Sequence, residues 1–110
     1  MEENMMETSE LLSEVRSRLE DAFGPRLKGI VLYGSEARED AQADSDIDIL
    51  VLLTRPVRWS RDLATITRKL YPLQLDIADR PLHAIPVPEA DYRAGTSQLY
   101  REAQREGIAA

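Results

Sequence analysis

The chain has 110 residues, of which 43% are hydrophobic and 31% charged, and its formal net charge is −6. That is the composition and size of a single globular domain, residues 1–110, with no second recognition domain expected. The absence of cysteine excludes disulfide scaffolds, thiolate metal sites and cysteine nucleophiles, and one histidine excludes a multi-histidine zinc site.

Twenty acidic against fourteen basic residues make the chain a poor general binder of nucleic acid, because phosphate contacts need surplus Lys and Arg. The opening MEENMMETSE has neither a basic nor an apolar segment and does not read as a signal peptide. The most apolar stretch, Ile47–Leu53, carries an aspartate and is far too short to cross a membrane. A cytoplasmic protein without membrane contact is the expectation.

Residues 7–23 predict a helix. Leu11, Leu12, Val15, Leu19, Ala22 and Phe23 fall on one stripe of a 3.6-residue period, Thr8 or Ser9 can cap it, and Gly24-Pro25 ends it. LKGIVLY, residues 27–33, predicts a strand. Residues 34–45 are small, polar and charged, and predict a loop with one short helix over 36–40. DIDILVLL, residues 46–53, predicts a second strand. From Ile49 onward it has no polar residue on either face, which implies a central position between two layers.

After an Arg55-Pro56 turn, Ser60 opens a second predicted helix with Leu63, Ile66, Thr67 and Leu70 inward and Pro72 as its stop. LQLDIA, residues 73–78, predicts a third strand. RPLHAIPVP holds three of the six prolines and predicts irregular chain, with at most a short edge strand near residues 83–85. A final helix is expected from Thr96 or Ser97 to Gly107, with Leu99, Tyr100 and Ala103 inward. The order implies an α/β (α+β) domain on a small mixed sheet of three or four strands.

The chemistry concentrates in YGSEAREDAQADSDIDILVLL, residues 33–53. Residues two apart on a strand share a face, so Asp46 and Asp48 place two carboxylates side by side at the start of a buried strand. Like charges so placed repel, and a hard divalent cation such as Mg²⁺ relieves the conflict. Asp76, flanked by Leu75 and Ile77 in the third predicted strand, would bring a third carboxylate to the same point. Such a cluster suits one or two metal ions serving a phosphoryl displacement. Gly34-Ser35 follows a strand, lets a phosphate approach the backbone, and precedes a short predicted helix whose first amides can bind it; Arg38 adds a cation.

These residues carry a resemblance. Tyr33, Gly34 and Ser35, a ten-residue spacer, then Asp46, Ile47, Asp48 and Ile49 resemble the signature of the minimal nucleotidyltransferases of the polymerase-β-like superfamily. The longer pattern, roughly G-S-x-A-R-G-x-A-x-x-x-S-D-I-D-L-x-V, is matched at Gly34, Ser35, Ala37, Arg38, Ala41, Ser45, Asp46, Ile47, Asp48 and Val51, with Ile49 a conservative change. Glu39 replaces the glycine after the arginine. The tail, from Pro88-Glu89 to the closing REAQREG, is also similar to the ends of these chains.

The resemblance implies a polymerase-β-like nucleotidyltransferase fold and an antitoxin paired with a helical HEPN-type ribonuclease toxin. The antitoxin would transfer AMP from ATP to a tyrosine of that toxin, forming a hetero-oligomer with it. Asp46 and Asp48 would ligate Mg²⁺, and Asp76 would bind the metal nearer the nucleophile, with Asp79 as the alternative third carboxylate. Gly34, Ser35 and Arg38 would hold the triphosphate. Two other readings stand beside this one. Glu39 would suit a degraded site that neutralises its toxin by binding alone, and transfer to a small molecule would ordinarily need an extra acceptor domain. His83 reads as a surface or packing residue, Trp59 as a helix-start packing residue with partner contact as the alternative, Tyr92 and Tyr100 as helical packing, and Arg61, Arg68 and Lys69 as a solvated face.

Overall fold

The computed structural model describes residues 7–34, 46–77 and 80–110. Helix α1 spans Thr8–Phe23, strand β1 Leu27–Tyr33, strand β2 Ile47–Leu53, helix α2 Trp59–Asp76, strand β3 Leu82–Pro88, helices α3 and α4 Glu89–Ala94 and Gln98–Glu106, and strand β4 Ile108–Ala109. The sheet order is β3-β2-β1-β4, with β2 antiparallel to β1 and parallel to β3, and β1 antiparallel to β4. This is the four-stranded mixed sheet flanked by helices that the pattern of elements implied.

Alternation along the central strands sorts the core into two layers. Ile47, Ile49, Val51 and Leu53 of β2, with Ile30 and Leu32 of β1, pack under α1 and α2. Leu50 and Leu52, with Val31 and Val87, pack against Tyr92 of α3 and Ala103 of α4. Residues 49–53 are buried without exception, as their unbroken apolar run requires. In α1 the apolar stripe is buried at Leu11, Leu12, Val15, Leu19 and Phe23, although the first turn is held by Glu7, whose N–H donates to Glu10 Oε1 at 3.0 Å, and not by Thr8 or Ser9. At α4 Ser97 caps as expected, its hydroxyl accepting from the Tyr100 N–H at 3.2 Å; Ala103 faces inward and Leu99 is exposed.

Two expectations in the middle of the chain are overturned together. Residues 73–76 are not strand: α2 runs through Pro72 to Asp76. A proline inside a helix costs about 3 kcal/mol. Leu70 and Leu73 on either side of it are buried, and each gains about 1.5–3 kcal/mol on burial, which offsets the loss. Thr67, expected inward, is exposed.

The third strand is instead the proline-rich LHAIPVP, paired over its whole length with β2 from Ile47↔Leu82 to Leu53↔Pro88. The Ile47 N–H donates to the Pro81 carbonyl at 2.8 Å. In a parallel ladder that makes the odd-numbered residues of β3 the donors to β2. Pro86 and Pro88 fall on the alternate positions, whose missing N–H would have faced outward from an edge strand. Gln74 joins α2 to β3: its amide donates to the Arg80 carbonyl at 2.9 Å and accepts from the Leu82 N–H at 2.7 Å.

Candidate nucleotide-binding site

Strand β1 ends at Tyr33, which lies opposite Asp48 of β2, and Asp48 lies opposite His83 of β3. Residues in register share a face, so Tyr33, Asp48 and His83 project from the same side of the sheet, the side that α3 and α4 cover farther along. Asp46, two residues before Asp48, shares that parity. Its carboxylate is 55% exposed, and its Oδ2 lies 3.2 Å from Nε2 of His83, itself 57% exposed. The pair expected from the D-x-D spacing is therefore together on one face, at the end of the sheet where β1 leaves and β2 enters.

Gly34 is positioned by two constraints. Its φ of +81° is a backbone conformation that L side chains rarely adopt. A Cβ there would also stand 3.0 Å from Oδ2 of Asp48. The missing side chain leaves open the space beside that carboxylate. Burial pushes the Asp48 carboxyl above the usual aspartate range; His83 opposes the shift and the Asp46 charge adds to it. The Tyr33 hydroxyl is likewise raised, by burial first and by Asp48 second.

A divalent cation fits these groups. It would neutralise the two neighbouring carboxylates and occupy the space that Gly34 leaves open, and the oxygen donors suit Mg²⁺. Among the described residues, no three His, Cys, Asp or Glu side chains are gathered as a ready metal cluster. The carboxylate pair would be completed by further oxygens from a ligand or water.

The third expected carboxylate is not where the sequence placed it. Asp76 is the last residue of α2, exposed, in the helical layer on the opposite face of the sheet. The strand that was to carry it beside Asp48 does not exist, because residues 73–76 continue the helix. The neighbouring-strand position opposite Asp48 is held by His83, which reads from the sequence as surface or packing. The signal that could have found it is the alternation within LHAIPVP: His83, Ile85 and Val87 on one side, Leu82, Ala84 and Pro86 on the other. Ser35, Arg38, Glu39 and the short helix over 36–40 lie outside the described residues, as does Asp79. Tyr92 and Tyr100 do pack together, with ring centroids 6.2 Å apart at 60°.

The sequence family described as "Nucleotidyltransferase domain" matches residues 12–103. A protein of Methanocaldococcus jannaschii named as a protein adenylyltransferase, MJ0141, is 28% identical over 78 residues, covering 70% of this chain and 79% of its own. The crystal structure of a toxin–antitoxin with AMP-PNP superposes with a TM-score of 0.63 at 22% identity, over 88% of this chain and 69% of that one. A mutant of the toxin–antitoxin MntA–HpeT superposes with a TM-score of 0.58 at 17% identity, over 94% of this chain and 71% of that one. At these identities the two superpositions establish the fold. Among the described residues no helix is long and apolar enough to cross a membrane.

Proposed function

The chain belongs to the nucleotidyltransferase domain family, and from that premise we propose that it is the antitoxin of a toxin–antitoxin pair, transferring AMP from ATP to a tyrosine of a helical HEPN-type ribonuclease toxin. The observation that carries the reading is the pair Asp46 and Asp48 on one face of the sheet, with β1 followed by a glycine that leaves Asp48 Oδ2 open to approach. Kinship with a relative named for protein adenylyltransferase activity, and a fold shared with toxin–antitoxin proteins, one bound to AMP-PNP, support it.

In this reading Asp46 and Asp48 hold Mg²⁺, which supplies charge neutralisation for the triphosphate and for the oxygens entering and leaving at phosphorus. The backbone at Gly34, with Ser35 and Arg38, receives the phosphates. The tyrosine oxygen attacks the α-phosphorus, and its proton passes to solvent water. The bond from that phosphorus to the bridging oxygen breaks, and pyrophosphate leaves. The protein contributes position and fixed charge, with no covalent enzyme intermediate. His83, 3.2 Å from Asp46 Oδ2, fixes where that carboxylate points.

A second reading has an observation of its own. With His83 at the position where a third carboxylate was expected, the site is a weaker metal binder, and neutralisation by complex formation alone becomes a coherent alternative. Intact-mass measurement of a candidate helical partner, sought in the adjacent gene, after incubation with this chain, Mg²⁺ and ATP, separates the two. One or more added AMP units, lost in Asp46→Asn, supports the transferase. A stable complex with unchanged mass supports occlusion.

A further inference from the structure

The outer flank of α2 takes no part in the site described above. Trp59, Leu63, Thr67, Tyr71 and Leu75 recur every four residues along it. That stripe winds about 160° around the helix from Trp59 to Leu75, so Tyr71 and Leu75, about 40° apart, share a face with Arg61 and Arg68 while Trp59 does not. Trp59 is 53% exposed, and Tyr71 and Leu75 are each 59% exposed. Single exposed apolar residues need no explanation, but two large ones side by side on one helix face, flanked by exposed arginines, mark an interaction surface.

The stripe leads to the site. Leu63 and Tyr71 line the shallow groove that begins at Trp59, and they also line the cleft between α2 and edge strand β3, whose other wall includes Leu82, His83 and Ile85. An apolar track therefore runs from Trp59 to His83, which is 3.2 Å from Asp46. The charge along this track is opposite to that of the whole chain. Arg58, Arg61 and Arg68 are exposed and form no salt bridge with a described residue. Lys69 is paired with Asp21 at 2.6 Å. Of the helix's two carboxylates, Asp62 is buried, which leaves Asp76 at the far end as the exposed one.

We infer that this flank is the docking surface for the protein acceptor, and that its occupant is an amphipathic helix with apolar residues on Tyr71 and Leu75 and carboxylates facing Arg61 and Arg68. The inference rests on the protein-modifying reading above and names the recognition surface that reading requires. An acceptor seated here has one end at the cleft that His83 lines. A second copy of the chain is the poorer occupant, because a twofold axis along the stripe would set arginines against arginines.

The experiment uses the intact chain and the candidate helical partner sought in the adjacent gene. Tyr71→Glu with Leu75→Glu changes two exposed residues and leaves both core layers untouched. The pair is expected to weaken the complex by about 100-fold or more, raising KM for AMP transfer and leaving kcat at saturating acceptor unchanged. Arg61→Glu with Arg68→Glu is expected to slow association about tenfold in low salt, the difference shrinking in high salt.

An undiminished complex with the Tyr71→Glu, Leu75→Glu chain overturns the surface and leaves the transferase reading standing. Faster association of the arginine variant overturns the acidic occupant. A dimer of the chain alone that Tyr71→Glu dissociates assigns the stripe to a second copy. Asp46→Asn should bind as tightly as wild type while transferring nothing; if even wild type forms no complex, the partner reading fails together with this one.

Discussion

Each end of β2 has an aspartate that folding takes partly out of water, and the two are treated in opposite ways. Beyond its C-terminal end, Asp62 of α2 is 3% exposed and fully partnered. The Arg26 guanidinium donates to both its oxygens, at 3.2 and 3.0 Å, and the Arg58 N–H donates at 3.1 Å. The same guanidinium donates to the Pro56 carbonyl at 2.9 Å and lies over the Phe23 ring. The hydrogen bond from Arg26 holds the Asp62 carboxyl below the usual aspartate range, against the opposing effect of burial. At the N-terminal end Asp48 has burial and a second aspartate against it, and its carboxyl is pushed up. A structural carboxylate is given a permanent cation. In the proposed site Asp48 is instead left with an electrostatic deficit that a divalent cation would fill.

Substitutions should expose that difference, the largest effect first. Asp48→Asn removes a repulsion from the apo chain, so its melting temperature should hold or rise, while the rate of AMP transfer falls by about 10³-fold or more, a loss of ~4 kcal/mol in transition-state stabilisation. An unchanged rate would remove Asp48 from the metal site. Arg26→Ala should do the reverse: transfer measured well below the melting temperature is retained, and urea unfolding shows a loss of about 3 kcal/mol, because a buried carboxylate is left unpaired.

The pH dependence of the Asp62 pair has a definite sign. The Asp62 carboxyl is depressed on folding, so its contribution is fully present above the ordinary aspartate value and is lost as pH falls through the depressed one. Acid unfolding of Arg26→Ala should therefore be less steep across that range than that of wild type; parallel curves would show that the pair contributes nothing. Gly34→Ala comes next. A positive φ and a 3.0 Å approach to Asp48 Oδ2 should cost about 1–2 kcal/mol in stability and lower nucleotide affinity, read by calorimetry with AMP-PNP.

The sequence was most readable where residue pattern and residue chemistry agree. The unbroken apolar run after Asp48 could only be a central strand, and D-x-D on such a strand could only put both carboxylates on one face. The α1 stripe was equally plain. The failures share one physical cause, which is that local rules were overridden by packing. Pro72 reads as a helix stop, yet Leu70 and Leu73 are buried on either side of it and the helix continues. LQLDIA reads as a strand by alternation, yet Leu73 is buried under the sheet and Leu75 is exposed, as a helical face demands. LHAIPVP reads as broken chain because two prolines cannot donate, yet parallel pairing at an edge needs donors only from the alternate residues. The displaced strand took the third carboxylate with it and hid His83. The two-residue β4 and the six-residue α3 had too little sequence to announce themselves.

The smallest predicted effects compare Asp76, expected at that third position, with His83, which the structure places there. Asp76 sits at the exposed end of α2 in the layer under the opposite face, while His83 is in register with Asp48 and touches Asp46. If contact with the carboxylate pair is what matters, His83→Ala should lower the transfer rate about tenfold. It should also raise the Mg²⁺ concentration needed for half the maximal rate, and leave the melting temperature unchanged, since the imidazole is more than half exposed. Asp76→Asn should change the rate by less than about twofold, since the exposed carboxylate has no contact with the pair to lose. The reverse ranking, with Asp76→Asn the more damaging, would mean that the end of α2 moves toward the carboxylates when nucleotide binds. In that event the catalytic arrangement would differ from the resting one by a rearrangement of the residues that join α2 to β3.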